Sequence, residues 1–510
     1  MNRHPVIATG HPETTAAAAE MLNDGGNAFD ACISAALVAC VVEPMLCSLG
    51  GGGFLLARQA GHAPQLVDFF VQTPGSKNTG EIDFFPIIGE FGEATQEFHI
   101  GLGSMAAPGL VRGLFHIHRQ YARLPIKRLF EPAIRLARDG VALNAHQAYT
   151  LAILKPILSV SSTARENFFD GDRPRTEGAV VRLMELSEFL SELAGEGEEF
   201  FYQGPAARQL VEHCQHSGGH LQQNDLDEYQ VQVRQPLSWQ IGDARLWSNP
   251  APSSGGGLVA YASCILAEAA GAGHQFDLRY VQSVVQSQQM TNQLRKQSDW
   301  NRILEDQLSQ AGARGITSQA DDQAHCERGT TQISIIDWQG SVASMSISNG
   351  EGCGFVIPGT GIMMNNMLGE EDINPAGFHQ WPENQRVSSM MSPVIADLPG
   401  GSQIALGSGG ANRIRTAITQ VLAQRILLQQ SLTEAVMAPR IHLEDRRLNW
   451  EDAGFPEAAS DWLAEAFSDQ VRWSGRNLFF GGVHAVEQNI TTGIAEGVGD
   501  KRRGGDWTLV

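Results

Sequence analysis

Gly329-Thr330-Thr331-Gln332-Ile333-Ser334-Ile335-Ile336-Asp337 places two threonines behind a glycine and in front of a run in which Ile333 and Ile335 alternate with polar Ser334. Trp338-Gln339-Gly340 follows, then a second run, Val342-Ala343-Ser344-Met345-Ser346-Ile347-Ser348. Two such runs around a short connection predict a β-hairpin with Gly340 at the left-handed position of a three-residue loop. If Asp337 faces Ser341, counting back pairs Thr330 with Ser348. A hydroxyl is then expected beside the first residue of the strand.

That pairing has two readings. Hydroxyl residues are common on half-exposed strands and need carry no chemistry. Alternatively, the chain cuts itself between Gly329 and Thr330. A new N-terminal threonine carries nucleophile and base on one residue, its Oγ activated by its own α-amine. Such an amine titrates at about 7.7–8.0, close to working pH. The hairpin alone does not choose between the two.

Composition removes several function classes. Lys and Arg number 36 against 56 Asp and Glu, a net charge of −20. That surface repels phosphate backbones, so nucleic acid and anionic membrane are not expected partners. Hydrophobic residues make up 42% of the 510, ample for a large core, and no Pro/Ser-rich linker or charge run divides the chain. The seven cysteines (Cys32, Cys40, Cys47, Cys214, Cys264, Cys326 and Cys353) form no Cys-x-x-Cys pair. Free, mostly buried thiols in a reducing compartment are the simpler expectation. Residues 1–10 hold no basic-then-apolar leader, which points to the cytoplasm. The most apolar stretch, Ala28 to Val42, contains Asp30 and is too short to span a bilayer, so it is expected as a buried helix.

Along the chain, Val6-Ile7-Ala8 predicts a strand, and Pro12 opens a helix that Gly25-Gly26 closes. Asn27 caps the next helix, which stops at Glu43-Pro44. Leu49 to Leu56 contains four consecutive glycines without a Lys-Ser/Thr, so close backbone packing is expected rather than a phosphate loop. Val67 to Phe70 predicts a strand, 110–139 two helices broken near Arg123-Leu124-Pro125, and 180–215 further helix. His213, Cys214, His216 and His220 fit no structural zinc spacing and are expected as solvated helix-end residues. Tyr229 to Trp247 alternates like two strands, and a helix is expected from Leu258. Residues 311–329, rich in Gly, Ser, Gln and Asp, suit a mobile chain end made by cleavage before Thr330. Gly361 to Asn366 predicts a strand, and Gly369 to Gln385 a surface loop that could act as a lid. Ile404 to Ala411 predicts a strand entering a glycine turn ahead of a helix from Arg413 to Gln430, and the N–H groups of such a turn are natural oxyanion donors.

These stretches together resemble the γ-glutamyltransferase (glutathione hydrolase) family of N-terminal-nucleophile hydrolases, from about residue 6 to near the C-terminus. The matching segments are Gly25 to Ala31, Leu49 to Phe54, Pro132-Ala133 to Gly140, Asp225-Leu226 with Tyr229, and Ser253 to Gly256. In the last third they are Thr330-Thr331, Pro358 to Asn366, Ser388 to Pro393, and Gly407 to Gly410. The resemblance implies an α+β fold, a four-layer αββα sandwich, built from one precursor that cleaves itself. Residues 1–329 would form a large subunit and 330–510 a small one, which stay associated. It implies Thr330 as nucleophile, with Thr331 the weaker candidate, and Ser348 in the place of a threonine whose hydroxyl contacts the nucleophile. Ser388 and Ser389 match a pair that contacts the substrate carboxylate, and Asn349 joins the substrate-binding set. Gly409-Gly410-Ala411 matches the oxyanion turn, where Ala411 is tolerable if its φ is negative. No metal or organic cofactor is implied, and the partner is a small amide or peptide substrate.

Three departures concern that substrate. The family's Asp-Phe-Arg-Glu strand reads Asp68-Phe69-Phe70-Val71 here, so the arginine that grips the glutamyl α-carboxylate is missing. The glutamine and aspartate that hold the α-amine correspond to Met367 and, roughly, Glu370. Gln332 replaces a histidine. The reading is therefore a self-processing amide hydrolase or acyltransferase for γ-glutamyl or related amides. Its alternatives are an acylase on the same fold for substrates without the glutamyl α-carboxylate, and an unprocessed relative that binds a ligand without turnover.

Overall fold

The structure, a computed structural model, describes residues 3–510 apart from 91–94, 271–274, 298–299, 311–328, 371–373 and 375–376. Seven strands form the first sheet: β1 (Val6–Thr9), β2 (Gly52–Arg58), β3 (Gln65–Phe69), β4 (Gln232–Arg234), β7 (Thr331–Ile336), β8 (Val342–Ser348) and β13 (Asp506–Leu509). Their order is β4-β3-β2-β8-β7-β1-β13, antiparallel throughout. Six strands form the second sheet: β5 (Leu237–Ile241), β6 (Ala244–Ser248), β9 (Val394–Asp397), β10 (Ser402–Gly409), β11 (Gly482–Asn489) and β12 (Ala495–Val498), in that spatial order.

Alternation along the strands makes the layers. Odd-numbered Ile333, Ile335, Met345, Ile347 and Leu55 enter the core shared with the helices α1 (Pro12–Asn23), α2 (Ala28–Val42), α3 (Leu110–Tyr121) and α4 (Ile126–Asp139). Even-numbered Ile336, Val342, Phe54 and Leu56 point the other way, into the core between the sheets. That second core also takes in residues of α5 (Gly255–Ala270) and α6 (Arg413–Ile426), which cover the far sheet. The expected helix–sheet–sheet–helix sandwich is the fold.

Local signals explain the helices around the site. Asn27 accepts from the Phe29 and Asp30 N–H groups, and Asp30 returns a bond to the Asn27 N–H, a complete capping box at the start of α2. Every residue of α2 is buried, as its continuous apolar surface requires. The glycine run works as expected by close approach. A Cβ added to Gly51 would lie 2.2 Å from the Ser348 carbonyl oxygen, and one on Gly53 2.4 Å from that of Ser346.

Some expectations change. Residues 180–215 form three helices, Met184–Glu196, Glu199–Tyr202 and Pro205–Ser217, because Gly197 takes φ +86° and Pro205 begins a new helix after Gly204. Cys214 and His220 are buried rather than solvated, and the His220 Nδ1 accepts from the Asn78 N–H. Tyr229 to Trp247 holds three strands, since β4 pairs with β3 while β5 and β6 form a hairpin in the other sheet. The helix expected from Leu258 begins at Gly255, and strand in 361–366 is confined to Ile362–Met363. Six cysteines are free thiols, five of them buried. The stretch expected to be mobile before Gly329, and with it Cys326 and part of the possible lid, lies outside the described residues.

Candidate active site

The hairpin has the expected register. Asp337 donates its N–H to the Ser341 carbonyl, Gly340 sits at φ +86°, and Thr331 pairs with Ile347. One residue further back, Thr330 faces Ser348. Ser348 in turn pairs with Gly52, and Gly52 lies beside Phe70. Residues paired in this way share a face, so Thr330, Ser348 and Phe70 point between the sheets while Thr331 points toward the helices.

The two threonines are separated by that alternation. The Thr331 hydroxyl donates to Glu43 Oε1 at 3.0 Å, behind the sheet. Thr330 is 2% exposed and lies against the end of β10: a Cβ built on Gly409 would sit 2.2 Å from the Thr330 carbonyl oxygen. Gly409 and Gly410 are thus brought to Thr330. Gly410 has φ +118° and Ala411 φ +50°, so the negative φ under which alanine would be tolerated here without strain is not met. The chain must turn from the end of β10 into α6 in a few residues, and the left-handed alanine costs about 1–2 kcal/mol.

Ser348 departs from expectation in its partner. Its Oγ donates to the Gly329 carbonyl oxygen at 2.5 Å and accepts from the Gly350 N–H at 3.1 Å. The hydroxyl therefore polarises the carbonyl that precedes Thr330. Gly329 is enclosed on its other sides. Its N–H donates to Glu351 Oε1 at 3.2 Å, and a Cβ there would lie 2.4 Å from the Gly350 oxygen, 2.7 Å from the Met45 oxygen and 3.0 Å from the Leu46 Cα. Only glycine fits.

The remaining expected residues divide. Asn349 is buried; its Nδ2 donates to the Met363 and Met364 carbonyls, and its Oδ1 has no partner among the described residues. Glu370 is buried beside Gly350, where an added Cβ would lie 2.3 Å from Glu370 Oε1. Asn349 belongs to the Ser348–Glu351 loop, and Glu370 packs against it. Ser388 bonds to Ser254, while Ser389 accepts at its carbonyl from Ser253 and Gly255, so that pair is tied to the start of α5 rather than to Thr330. Phe70 is a core residue, 1% exposed, its ring stacked on Phe54 at 5.3 Å. Gln332 fills its place under Thr330 with a satisfied network: Nε2 donates to Ser334 and Ser344, and Oε1 accepts from Ser346.

Three residues escaped the sequence reading: Glu43, Glu351 and Arg503. Glu43 ends α2, and its carbonyl accepts the Leu46 and Cys47 N–H groups. It therefore holds Thr331 through its side chain and the turn that encloses Gly329 through its backbone. Arg503 arrives on the C-terminal segment, with one Nη 3.1 Å from the point where a Gly409 Cβ would stand. A buried ionic cluster fixes that segment: Arg440 donates to Asp500 at 2.6 Å, and Arg502 donates to Glu451 at 2.7 and 2.5 Å. The two guanidinium groups hold the Asp500 carboxyl far below the usual range despite its burial. Burial pushes His146 down to about 3 and His484 to about 4, so both are neutral and the positive charge here is carried by arginines.

Burial also pushes Glu43 up from 4.5 to about 7, against the opposing pull of the Thr331 hydroxyl and the Arg503 charge. The folded chain thus keeps a proton that the unfolded chain gives up above about pH 4.5. Stability from this group is full below that pH and is lost as pH rises through about 7. Glu43→Gln, made in a chain blocked from cleavage, is expected to narrow the fall in Tm between pH 5 and pH 8. An unchanged slope would assign it to another group.

The sequence model described as Gamma-glutamyltranspeptidase matches residues 14–510. The chain belongs to the γ-glutamyltranspeptidase family. Among its relatives, Glutathione hydrolase 2 of Arabidopsis thaliana is 28% identical, covering 86% of this chain and 80% of that protein. The Acylase ACY 1 proenzyme of Pseudomonas sp. (strain SE83) is 27% identical over 95% and 90%. The crystal structure of cephalosporin acylase from Bacillus halodurans superposes with a TM-score of 0.83 at 21% identity, covering 99% of this chain and 96% of that one. Members of the family are threonine-type Ntn amide hydrolases and acyltransferases, and this chain is one of them. No helix among the described residues is long and apolar enough to cross a membrane.

Proposed function

We propose that the protein is a precursor that cleaves itself between Gly329 and Thr330, and that the freed Thr330 then hydrolyses or transfers the acyl group of a small amide. The observation that carries this reading is the Ser348 hydroxyl on the Gly329 carbonyl, at 2.5 Å, beside a threonine whose neighbour Thr331 faces the opposite way.

In the first stage Thr330 Oγ attacks the Gly329 carbonyl carbon. Ser348, itself receiving the Gly350 N–H, donates to the oxygen as negative charge builds there. The C–N bond breaks and the hydroxyl proton passes to the Thr330 nitrogen, leaving an ester. Water hydrolyses the ester to a carboxylate at Gly329 and restores the hydroxyl. In the second stage the new α-amine takes the Oγ proton while Oγ attacks the substrate amide. That proton goes to the departing amine, and water or a second amine accepts the acyl group. Gly409, packed against the Thr330 carbonyl, and Gly410 would supply the N–H groups that receive the second oxyanion.

Residues 1–329 and 330–510 contribute interleaved strands to one sheet, with β7 and β8 of the second piece inserted between β1 and β2 of the first. Separation would tear strands from the middle of both cores, which supports two subunits that stay associated after cleavage. Ser348→Ala removes the donor to the scissile carbonyl and is expected to slow cleavage about a hundredfold or more, read as the half-life of the intact chain at neutral pH. Cleavage at the wild-type rate would remove Ser348 from the mechanism.

The acylase reading of the substrate is favoured over the glutamyl one by a specific observation. Phe70 supplies no charge, and two arginines that could replace the lost clamp, Arg386 and Arg112, have other partners. Arg386 pairs with Asp68 at 3.2 Å and covers the Tyr229 ring; Arg112 pairs with Glu199 at 3.3 Å and covers the Tyr202 ring.

A further inference from the structure

Glu43 braces the Gly329–Thr330 bond from both of its sides. On one side its Oε1 accepts the Thr331 hydroxyl at 3.0 Å, one residue along the strand from Thr330. On the other, its carbonyl accepts the Leu46 N–H at 2.8 Å and the Cys47 N–H at 3.2 Å. Those two bonds fold the turn whose Met45 oxygen and Leu46 Cα stand 2.7 and 3.0 Å from a Cβ built on Gly329. The Leu46 carbonyl in turn accepts the Asn349 N–H at 3.3 Å, next to Ser348. The bond to Thr331 is also shut off from water. Glu43 is 5% exposed and Thr331 2%, and a Cβ on Gly10 would lie 2.3 Å from Glu43 Oε1 and 2.6 Å from Thr331 Oγ.

We propose that Glu43 is a positioning residue for self-cleavage, its carboxylate pinning Thr331 and thereby holding Thr330 against Gly329 for attack. The inference rests on Thr330 as the nucleophile and adds to it a group that never meets the reacting atoms. Thr331 points to the opposite face from Thr330, so Glu43 acts through the backbone that joins them.

The strength of this brace depends on charge. A hydroxyl that donates to a carboxylate makes a bond roughly twice as strong as one that donates to a neutral acceptor. Burial away from water widens that difference. The Glu43 carboxyl titrates at about 7, raised by burial against the pull of Thr331 and Arg503. In the turn, burial pushes the Cys47 thiol well above its ordinary value, and the Cys40 thiol on α2 faces Cys47. Beyond Gly10, burial lowers His11 to about 4 and His146 to about 3. Arg503, Cys47 and the two histidines therefore keep their charge from about pH 5.5 to about pH 8.5 while Glu43 loses its proton. The brace is weak below about pH 7 and strong above it.

The test follows the half-life of the intact chain, made by cell-free synthesis and moved to a series of pH values. Glutamine at this position is a neutral acceptor of the same shape. Dividing the wild-type rate by the Glu43→Gln rate at each pH cancels the other titrations in the reaction. That ratio is expected near one at about pH 5.5 and about tenfold at about pH 8.5, the margin of a charge-assisted hydrogen bond over a neutral one. In a Thr331→Val background the same ratio should stay flat with pH. A flat ratio with Thr331 present would overturn the proposal, as would one that falls with pH because the anion opposes the oxyanion. A pH dependence that survives in Thr331→Val would overturn it as well. If one of the two single variants does not fold, the other decides, since the wild-type rate over either should rise across the same range. A wild-type chain uncut at every pH, or cleavage that survives in Thr330→Ala, would instead overturn the nucleophile assignment on which this inference rests.

Discussion

Thr330→Ala is expected to yield a single uncut chain with no measurable turnover. One oxygen makes both attacks, on Gly329 and on the substrate, so its loss removes both at once. Loss of a nucleophile of this kind lowers turnover by roughly four to six decades. The variant should fold as the wild type does, because a buried alanine at the edge of β7 leaves the Gln332 network and the Thr331–Glu43 bond in place. The comparison with Thr331→Val makes the result specific. That change removes a hydroxyl directed at Glu43 on the helix side, so cleavage should persist, though slowed. Cleavage or turnover surviving in Thr330→Ala would move the nucleophile to Thr331 or elsewhere.

γ-Glutamyl anilides and glutathione are expected to be poor substrates of the cut enzyme, with weak saturation. Burying an α-carboxylate without its charged partner costs about 3–5 kcal/mol. At about 1.4 kcal/mol per factor of ten, that is roughly two to three and a half decades in affinity. Neutral donors such as Ser388 could offset about 0.5–1.5 kcal/mol per hydrogen bond. Kinetics on a γ-glutamyl anilide and on its analogue without the α-carboxylate give the answer. A strong preference for the full glutamyl group would mean that another cation holds the carboxylate. Arg503, beside Gly409 and Gly410, would be the first to examine.

Local rules made much of this legible in the sequence. The hairpin register, and with it the Thr330–Ser348 pairing, follows from period-2 alternation and one glycine. The cap at Asn27 and the glycine run at Gly50 to Gly53 are equally local signals. Glu43, Glu351 and Arg503 were not legible, because each becomes significant only through contacts far along the chain. Arg503 reaches Gly409 across nearly a hundred residues, and Glu43 meets Thr331 across 288. Faint signals existed: a carboxylate ending a wholly apolar helix, a lone acid in a glycine-rich stretch, and a Lys-Arg-Arg cluster in a chain of net charge −20. Phe70 illustrates the opposite case. Its identity announced the loss of a charge, but only the packing, with its ring stacked on Phe54, showed that Arg386 and Arg112 are already paired elsewhere.

Self-cleavage at one bond is the central claim, and the intact mass of the purified protein with N-terminal sequencing of its fragments tests it most directly. After incubation at neutral pH the account predicts two pieces, residues 1–329 and 330–510, the second beginning at Thr330, that elute together until denatured. A chain that stays whole, or one cut at any other bond, would contradict it and leave a binding protein built on the frame of an enzyme.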